Sequence, residues 1–192
     1  KNVETVTVLL DAGANVQARD QIGNTALCWA SAFGDAATVS ELLDAGSSVD
    51  VAGAATGFTP LIWAAGFGEP GSVKVLVEAD ANLEARDAFE KATPLMYAAR
   101  TNSKENCTVL IEAGADLEAR DAVGKTVLLM AASNGGADAD MIQLLVDAGA
   151  DLEAKTDAGQ NALDLALNRT DTRAEAVVEL LRTLGLKESS PE

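Results

Sequence analysis

Thr93-Pro94-Leu95-Met96-Tyr97-Ala98-Ala99, followed by Leu110-Ile111-Glu112-Ala113-Gly114-Ala115-Asp116, decides the fold, because the chain writes this pair of phrases again on either side. The threonine recurs as Thr25, Thr59, Thr93 and Thr126, with Asn161 in the fifth place, at spacings of 34, 34, 33 and 35. The acidic residue recurs as Asp11, Asp44, Glu78, Glu112 and Asp147, at spacings of 33, 34, 34 and 35. Two independent columns with one period mark a repeat array, not a globular domain with accidental self-similarity. Such arrays usually present a long surface to a partner and seldom carry an active site.

One unit can be read from residues 87–121. Asp87 to Thr93 is polar and lacks a helical period, so it reads as a turn. Thr93-Pro94 then opens a helix, with Thr as N-cap and Pro at the first helical position, where a missing N–H costs nothing. Leu95, Ala98 and Ala99 form a small apolar face that permits close helix packing. A break at Thr101-Asn102-Ser103 precedes a second helix through Val109, Leu110 and Ile111, which Gly114 stops. Neither helix can bury its apolar face alone, so the units must stack into a continuous core.

This layout resembles the ankyrin repeat. The residues that carry the resemblance are Gly57-Phe58-Thr59-Pro60-Leu61, Ala64-Ala65, Gly68 and Glu112-Ala113-Gly114-Ala115-Asp116-Leu117, with their equivalents along essentially the whole chain. The resemblance implies an all-α solenoid of helix-turn-helix units joined by short hairpins. Two departures stand out. The family histidine is replaced by Cys28, Ile62, Met96, Leu129 and Asp164, and the family Asn near the hairpin by Gln17, Asp50, Glu84, Glu118 and Glu153. These departures are expected to remove some hydrogen bonds between repeats.

The expected units run 1–19 (partial), 20–53, 54–87, 88–120, 121–155 and 156–185 (a C-terminal cap), with 186–192 as a disordered tail. In register, Lys1 falls just after a first helix, so the array opens on a second helix, roughly residues 2–12, with Val3, Val6 and Leu10 half uncovered. The last unit keeps Ala162-Leu163 and Leu180-Leu181 and places Arg173, Glu175, Glu179 and Arg182 on its outer helix, as a capping repeat requires.

A formal charge of −16 makes bare nucleic acid and anionic membrane poor partners, since both call for clustered Lys and Arg. No apolar run approaches the ~20 residues of a spanning helix. Cys28 and Cys107 lie in different units and make no disulfide framework, which fits a reducing, cytoplasmic setting. There is no histidine to act as the commonest general base, so neither enzyme activity nor a cofactor is expected. Asn134, Asp138 and Asp140 fall short of a calcium loop, because the twelve-residue spacing and a closing Glu are both missing. An N-cap role for Asp138 or Asp140 is the better reading. Gly124-Lys125-Thr126 looks like the tail of a phosphate loop, but the required earlier glycine is Ala119. The tripeptides Asn106-Cys107-Thr108 and Asn168-Arg169-Thr170 match the glycosylation sequon, a pattern common by chance.

Departures from the period fall near Gly53, at Asp87 to Lys91 and within Gly135 to Asp140, and mark loops outside the packed core. All seven aromatics lie between residues 29 and 97. Trp29, Trp63 and Tyr97 repeat at 34, as do Phe33 and Phe67. The first three read as core between repeats, since bulky aromatics mostly bury. Phe33, Phe58 and Phe67 sit where the resemblance places variable groove contacts, and packing or binding suits them equally. Arg19, Arg86, Arg120 and Lys155 form a cationic column, with Ala52 in the gap. Ion pairing with the acidic column two residues earlier is its plainest reading.

The function expected from this reading is non-enzymatic binding of a protein partner by a monomer, through the concave groove and hairpin tips. Phe33, Phe58, Phe67, Arg86, Arg100 and Lys125 are the candidate contacts, and the acidity suits a partner with a basic surface. The alternative is a structural or targeting arm of a larger multidomain protein.

Overall fold

Thr59 and Thr93 accept hydrogen bonds from the backbone N–H groups of Ile62 and Met96, while Pro60 and Pro94 take the first helical turn, so the Thr-Pro pairs start helices as expected. Asn161 does the same job with a reciprocal capping box to Asp164. Thr25 and Thr126 start helices without a side-chain cap.

The computed structural model describes residues 3–189. Among these are eleven helices and no strand. The first helix of each unit is short: α2 Ala26–Phe33, α4 Pro60–Phe67, α6 Pro94–Arg100, α8 Val127–Ser133 and α10 Ala162–Leu167. The second helices are α3 Ala36–Asp44, α5 Pro70–Glu78, α7 Lys104–Glu112, α9 Ala139–Asp147 and α11 Ala174–Thr183. Ahead of them stands α1, Val3–Asp11, a second helix whose first helix is not among the described residues, and it buries no residue. Val3, Val6 and Leu10 are half-buried there, while Val8 and Leu9 are exposed. Asn2, where this helix was expected to begin, lies outside the described residues.

First helices pack on first helices in the order α2, α4, α6, α8, α10, and each second helix packs on the first helix of its own unit. The core sits between these layers. Leu27, Leu61, Leu95 and Leu128 fill its first-helix side, and Leu42, Leu76, Leu110 and Leu145 its second-helix side. Ala64, Ala65, Ala98, Ala99, Ala131 and Ala132 are buried small residues that allow the first helices close approach. Asn106 is buried on α7, and its amide donates to the Ala64, Ala65 and Gly68 carbonyls at the end of α4. That placement removes the first sequon from any glycosylating enzyme.

The hairpins close on one main-chain pattern. Asp20, Gly53, Asp87, Asp121 and Thr156 donate N–H bonds to Asn24, Phe58, Ala92, Lys125 and Gln160. The hairpins at Gly53 and Asp87 are one residue longer than the others, which accounts for two of the three departures from the period. Successive hairpins are also joined: Ala88 N donates to Thr56 O at 2.9 Å, and Ala122 N to Glu90 O at 2.7 Å.

Both side-chain columns serve the joints between units, but their targets differ from expectation. The acidic column accepts backbone N–H bonds from the next unit: Asp50 from Asn82 at 2.9 Å, Glu84 from Asp116 at 2.9 Å and Glu118 from Asp151 at 2.8 Å. The replaced family Asn therefore costs these joints no hydrogen bond. The arginine column does not pair with these acids. Arg19 donates to the carbonyls of Gly23 and Ala52, Arg86 to those of Lys91 and Arg120, and Arg120 to that of Lys155. A main-chain carbonyl takes the cation because, one unit on, it lies at the same register as the arginine. Ala52 leaves its own joint without this tie.

The expected disordered tail is corrected for residues 186–189. Leu186 is buried, Lys187 O accepts from the Asn161 amide at 2.7 Å, and Ser189 N donates to Asp164 at 2.9 Å. Asp164, in the place of the family histidine, thus ties the segment after α11 to α10. Residues 190–192 lie outside the described residues.

Among the described residues no group of three His, Cys, Asp or Glu is arranged to hold an ion. Asp138 caps α9 by accepting from Met141 N at 3.0 Å, and Lys104 Nζ stands 3.0 Å from Asp138 and 3.2 Å from Asp140. A lysine of the previous unit supplies the positive charge there. Partial burial works against ionisation of Asp138, but bonds from Asn102, Lys104 and Met141 outweigh it and bring its pKa down to about 2.

Two predictions follow from these joints. Second helices end on a residue at positive φ: Gly13, Gly46, Gly114, Gly149 and Gly185, but Asp80 (φ 60°) after α5. A side chain in that conformation costs about 1 kcal/mol, so Asp80→Gly should raise the melting temperature by about 2–4 °C, read by circular dichroism. The folded pKa of Asp138 lies below its unfolded value of about 3.9, so its contribution is present at pH 7 and fades as pH falls from about 4 toward 2. Asp138→Asn keeps the cap and removes the charge. Its stability deficit in urea titrations should be clear at pH 7 and shrink toward pH 2.

Candidate functional site

Trp29, Trp63 and Tyr97 stand on α2, α4 and α6 one unit apart, and Phe33 and Phe67 follow the two tryptophans by one helical turn. Stacking of the units turns this spacing into one continuous cluster. Ring centroids lie 5.9 Å apart for Trp29 and Phe33, 5.7 Å for Trp29 and Trp63, and 5.5 Å for Trp63 and Phe67. Phe58 enters from its hairpin and meets both Trp63 and Tyr97 edge-on at 5.0 Å. Phe33, Phe58 and Phe67 are thus brought together, although the sequence left each between packing and binding.

Exposure separates their roles. Phe33 is 71% and Phe67 52% exposed, and Phe58 is half-buried. The tryptophan-tyrosine column is graded: Trp29 is 39% exposed, Trp63 half-buried and Tyr97 only 4% exposed. The core reading therefore holds for Tyr97 and fails for Trp29. Trp29 is held in place by its indole N–H, which donates to Asp20 at 2.8 Å. Burial, with the charge of Asp87 nearby, pushes the Tyr97 phenol up to about 12, so it stays neutral.

The cations divide differently. Arg100 lies 4.3 Å over the Tyr97 ring and pairs with Glu90 at 2.6 Å, closing the C-terminal end of the aromatic cluster. Lys125 donates to Ser133 at 3.1 Å and shares a cavity with Arg100. Arg86 stands apart, its guanidinium held by two carbonyls in the hairpin column.

Two hollows flank the cluster. One, of about 580 Å³, lies at the α1 end and is lined by Val6, Trp29, Phe33 and Leu42 with Asp35 and Glu69. The other, of about 260 Å³, lies between the third and fourth hairpins. The exposed hairpin-tip residues Phe89 and Val123 line this second hollow. Val123 escaped the sequence reading, and its signal is faint: an apolar residue at a hairpin tip, where Ile22 also stands. The arrangement offers apolar surface, aromatic edges and a few charged groups.

No helix among the described residues is long and apolar enough to cross a membrane. No curated protein matches the chain. The family model for ankyrin repeats, in three copies, matches residues 1–87 and 95–188. Ankyrin repeats are generally protein–protein interaction modules and are typically not enzymes. With its helix pairs, hairpins and 34-residue columns accounted for by that match, this chain belongs to the ankyrin-repeat family.

Proposed function

We propose that the chain binds a protein partner along the face made by its first helices and hairpin tips. The observation that carries this reading is the exposure of Phe33 and Phe67, beside Trp29, on an aromatic cluster whose other rings, Phe58, Trp63 and Tyr97, are partly or fully buried. Exposed rings on a rigid base are suited to anchor a partner, because they lose little side-chain freedom on binding. Phe58 packs edge-on against Trp63, which in turn carries Phe67; Arg100 and Lys125 extend the surface toward the C-terminal units, and Arg86 shapes the hairpin edge. The net charge of −16 favours a partner with a basic surface, through faster encounter. In this reading the array acts as a monomer in a reducing, cytoplasmic setting. Cys28 and Cys107 are both free and buried, and burial pushes the Cys107 thiol up to about 12.

Phe33→Ala with Phe67→Ala should leave the melting temperature within a few degrees of wild type and abolish retention of a specific partner from lysate. Tyr97→Ala should cost about 3 kcal/mol or more in urea unfolding, as buried aromatic truncations do. A large loss of stability in the double variant, or equal partner retention, would move the binding face elsewhere.

A further inference from the structure

The hairpins begin at Asp20, Gly53, Asp87, Asp121 and Thr156, and all but Gly53 use a side chain to hold their own loop. Asp20 accepts the N–H groups of Ile22 and Asn24, and Asp87 those of Phe89, Glu90 and Ala92. Asp121 accepts those of Val123 and Lys125, and the Thr156 hydroxyl that of Gln160. Gly53 has no side chain for this work. Its hairpin is held by Gly53 N to Phe58 O at 3.0 Å and Gly57 N to Gly53 O at 2.8 Å. A third bond stays within the tip, from Phe58 N to the Thr56 hydroxyl at 3.1 Å.

The groups packed around Gly53 are correspondingly short of partners. Trp29 donates its indole N–H to the first residue of its own hairpin, Asp20, at 2.8 Å. Trp63 stands in the same register, but the first residue of its hairpin is Gly53, and its buried indole N–H has no partner among the described residues. Asn24 is 1% exposed, and neither its amide nitrogen nor its amide oxygen has a partner there. That oxygen lies against Gly53, where a Cβ would come within 2.3 Å of it. Buried unpaired polar groups favour any state in which water reaches them. The ties to neighbouring units are thin as well. Ala55 N lies 3.4 Å from Ile22 O, whereas the later hairpins are linked at 2.9, 2.7 and 3.2 Å, and Ala52 replaces the arginine of its column.

We infer that residues 53–58 form a gate over the aromatic cluster, which opens by itself while the rest of the array stays folded. Opening lets water reach Asn24 and the Trp63 indole, which offsets the main-chain bonds that are lost. It also withdraws Phe58, whose ring stands 5.0 Å from both Trp63 and Tyr97. Trp63 in turn packs on the exposed Phe67 at 5.5 Å, so the closed gate is the state that holds this anchor in place. The inference rests on the reading of the first-helix face as a binding surface and adds a control to it: affinity scales with the closed fraction.

The test is native-state hydrogen exchange of the full chain by NMR, which needs no partner. The Phe58 amide is compared with its counterparts at Ala92 and Lys125, which donate to Asp87 and Asp121 at 2.7 and 2.8 Å. After correction for intrinsic rates, Phe58 should be less protected by about tenfold or more, since the counterparts donate to a charged acceptor. The Trp63 indole N–H should exchange through the same opening. Both rates should depend only weakly on urea, whereas amides of α7 follow global unfolding. Ala52→Arg places a guanidinium in register with Arg19 and Arg86, and should restore protection at Phe58 and Trp63 while Lys125 is unchanged. Equal protection at Phe58 and its counterparts, a urea dependence like that of α7, or exchange unmoved by Ala52→Arg would overturn the gate. The binding face is judged separately. If the Phe33/Phe67 double variant keeps its partner while the Phe58 amide exchanges as expected, the ridge fails and the gate stands.

Discussion

Helices of six to ten residues cannot bury an apolar face against one partner, and every other feature of this chain answers that constraint. Isolated helices of this length are marginal in water. Each unit supplies one layer of leucines and alanines on its first helix and another on its second, and both layers are completed only by neighbours. The order of first helices along the stack fixes the spacing of everything mounted on them, including the aromatic cluster.

The polar joints follow the same economy of contact. Hairpin amides, the acidic column and the arginine column all reach across one unit boundary, and almost all of them bind the neighbour's main chain. Main-chain groups are present whatever residue occupies the position. The joints therefore tolerate side-chain changes in the neighbour, and the hairpin tips are left free to vary. Exposed bonds of this sort contribute roughly 1 kcal/mol each, so one gap, as at Ala52, is affordable. Asn106 shows the buried counterpart, a single amide that serves the carbonyl end of another unit's helix.

How much of this could be read beforehand depended on whether the pattern lay in side chains or in backbone. The Thr columns and the Gly stops gave helix limits and unit order, because capping and positive φ restrict residue type directly. The partner of each arginine was not legible: its acceptor is a carbonyl, which leaves no mark in a sequence. Leu186 to Ser189 looked like a polar tail because one buried leucine and two main-chain bonds hold it, too little to make a period. Phe33 and Trp29 lie one turn apart with similar composition around them. Their exposure differs from that of Tyr97 because Phe58 and Arg100 cover the tyrosine, whereas Phe33 and Trp29 stack on each other and stay exposed.

The account assigns binding to one face of a two-layered array, and photocrosslinking tests that assignment most directly. A benzophenone amino acid placed at position 33 or 67 reports on the first-helix face. The same group at position 74 or 108, exposed on α5 and α7, reports on the opposite layer. The account predicts a discrete adduct in lysate from positions 33 and 67 and none from 74 and 108. Adducts confined to 74 and 108, or equal from all four, would contradict it.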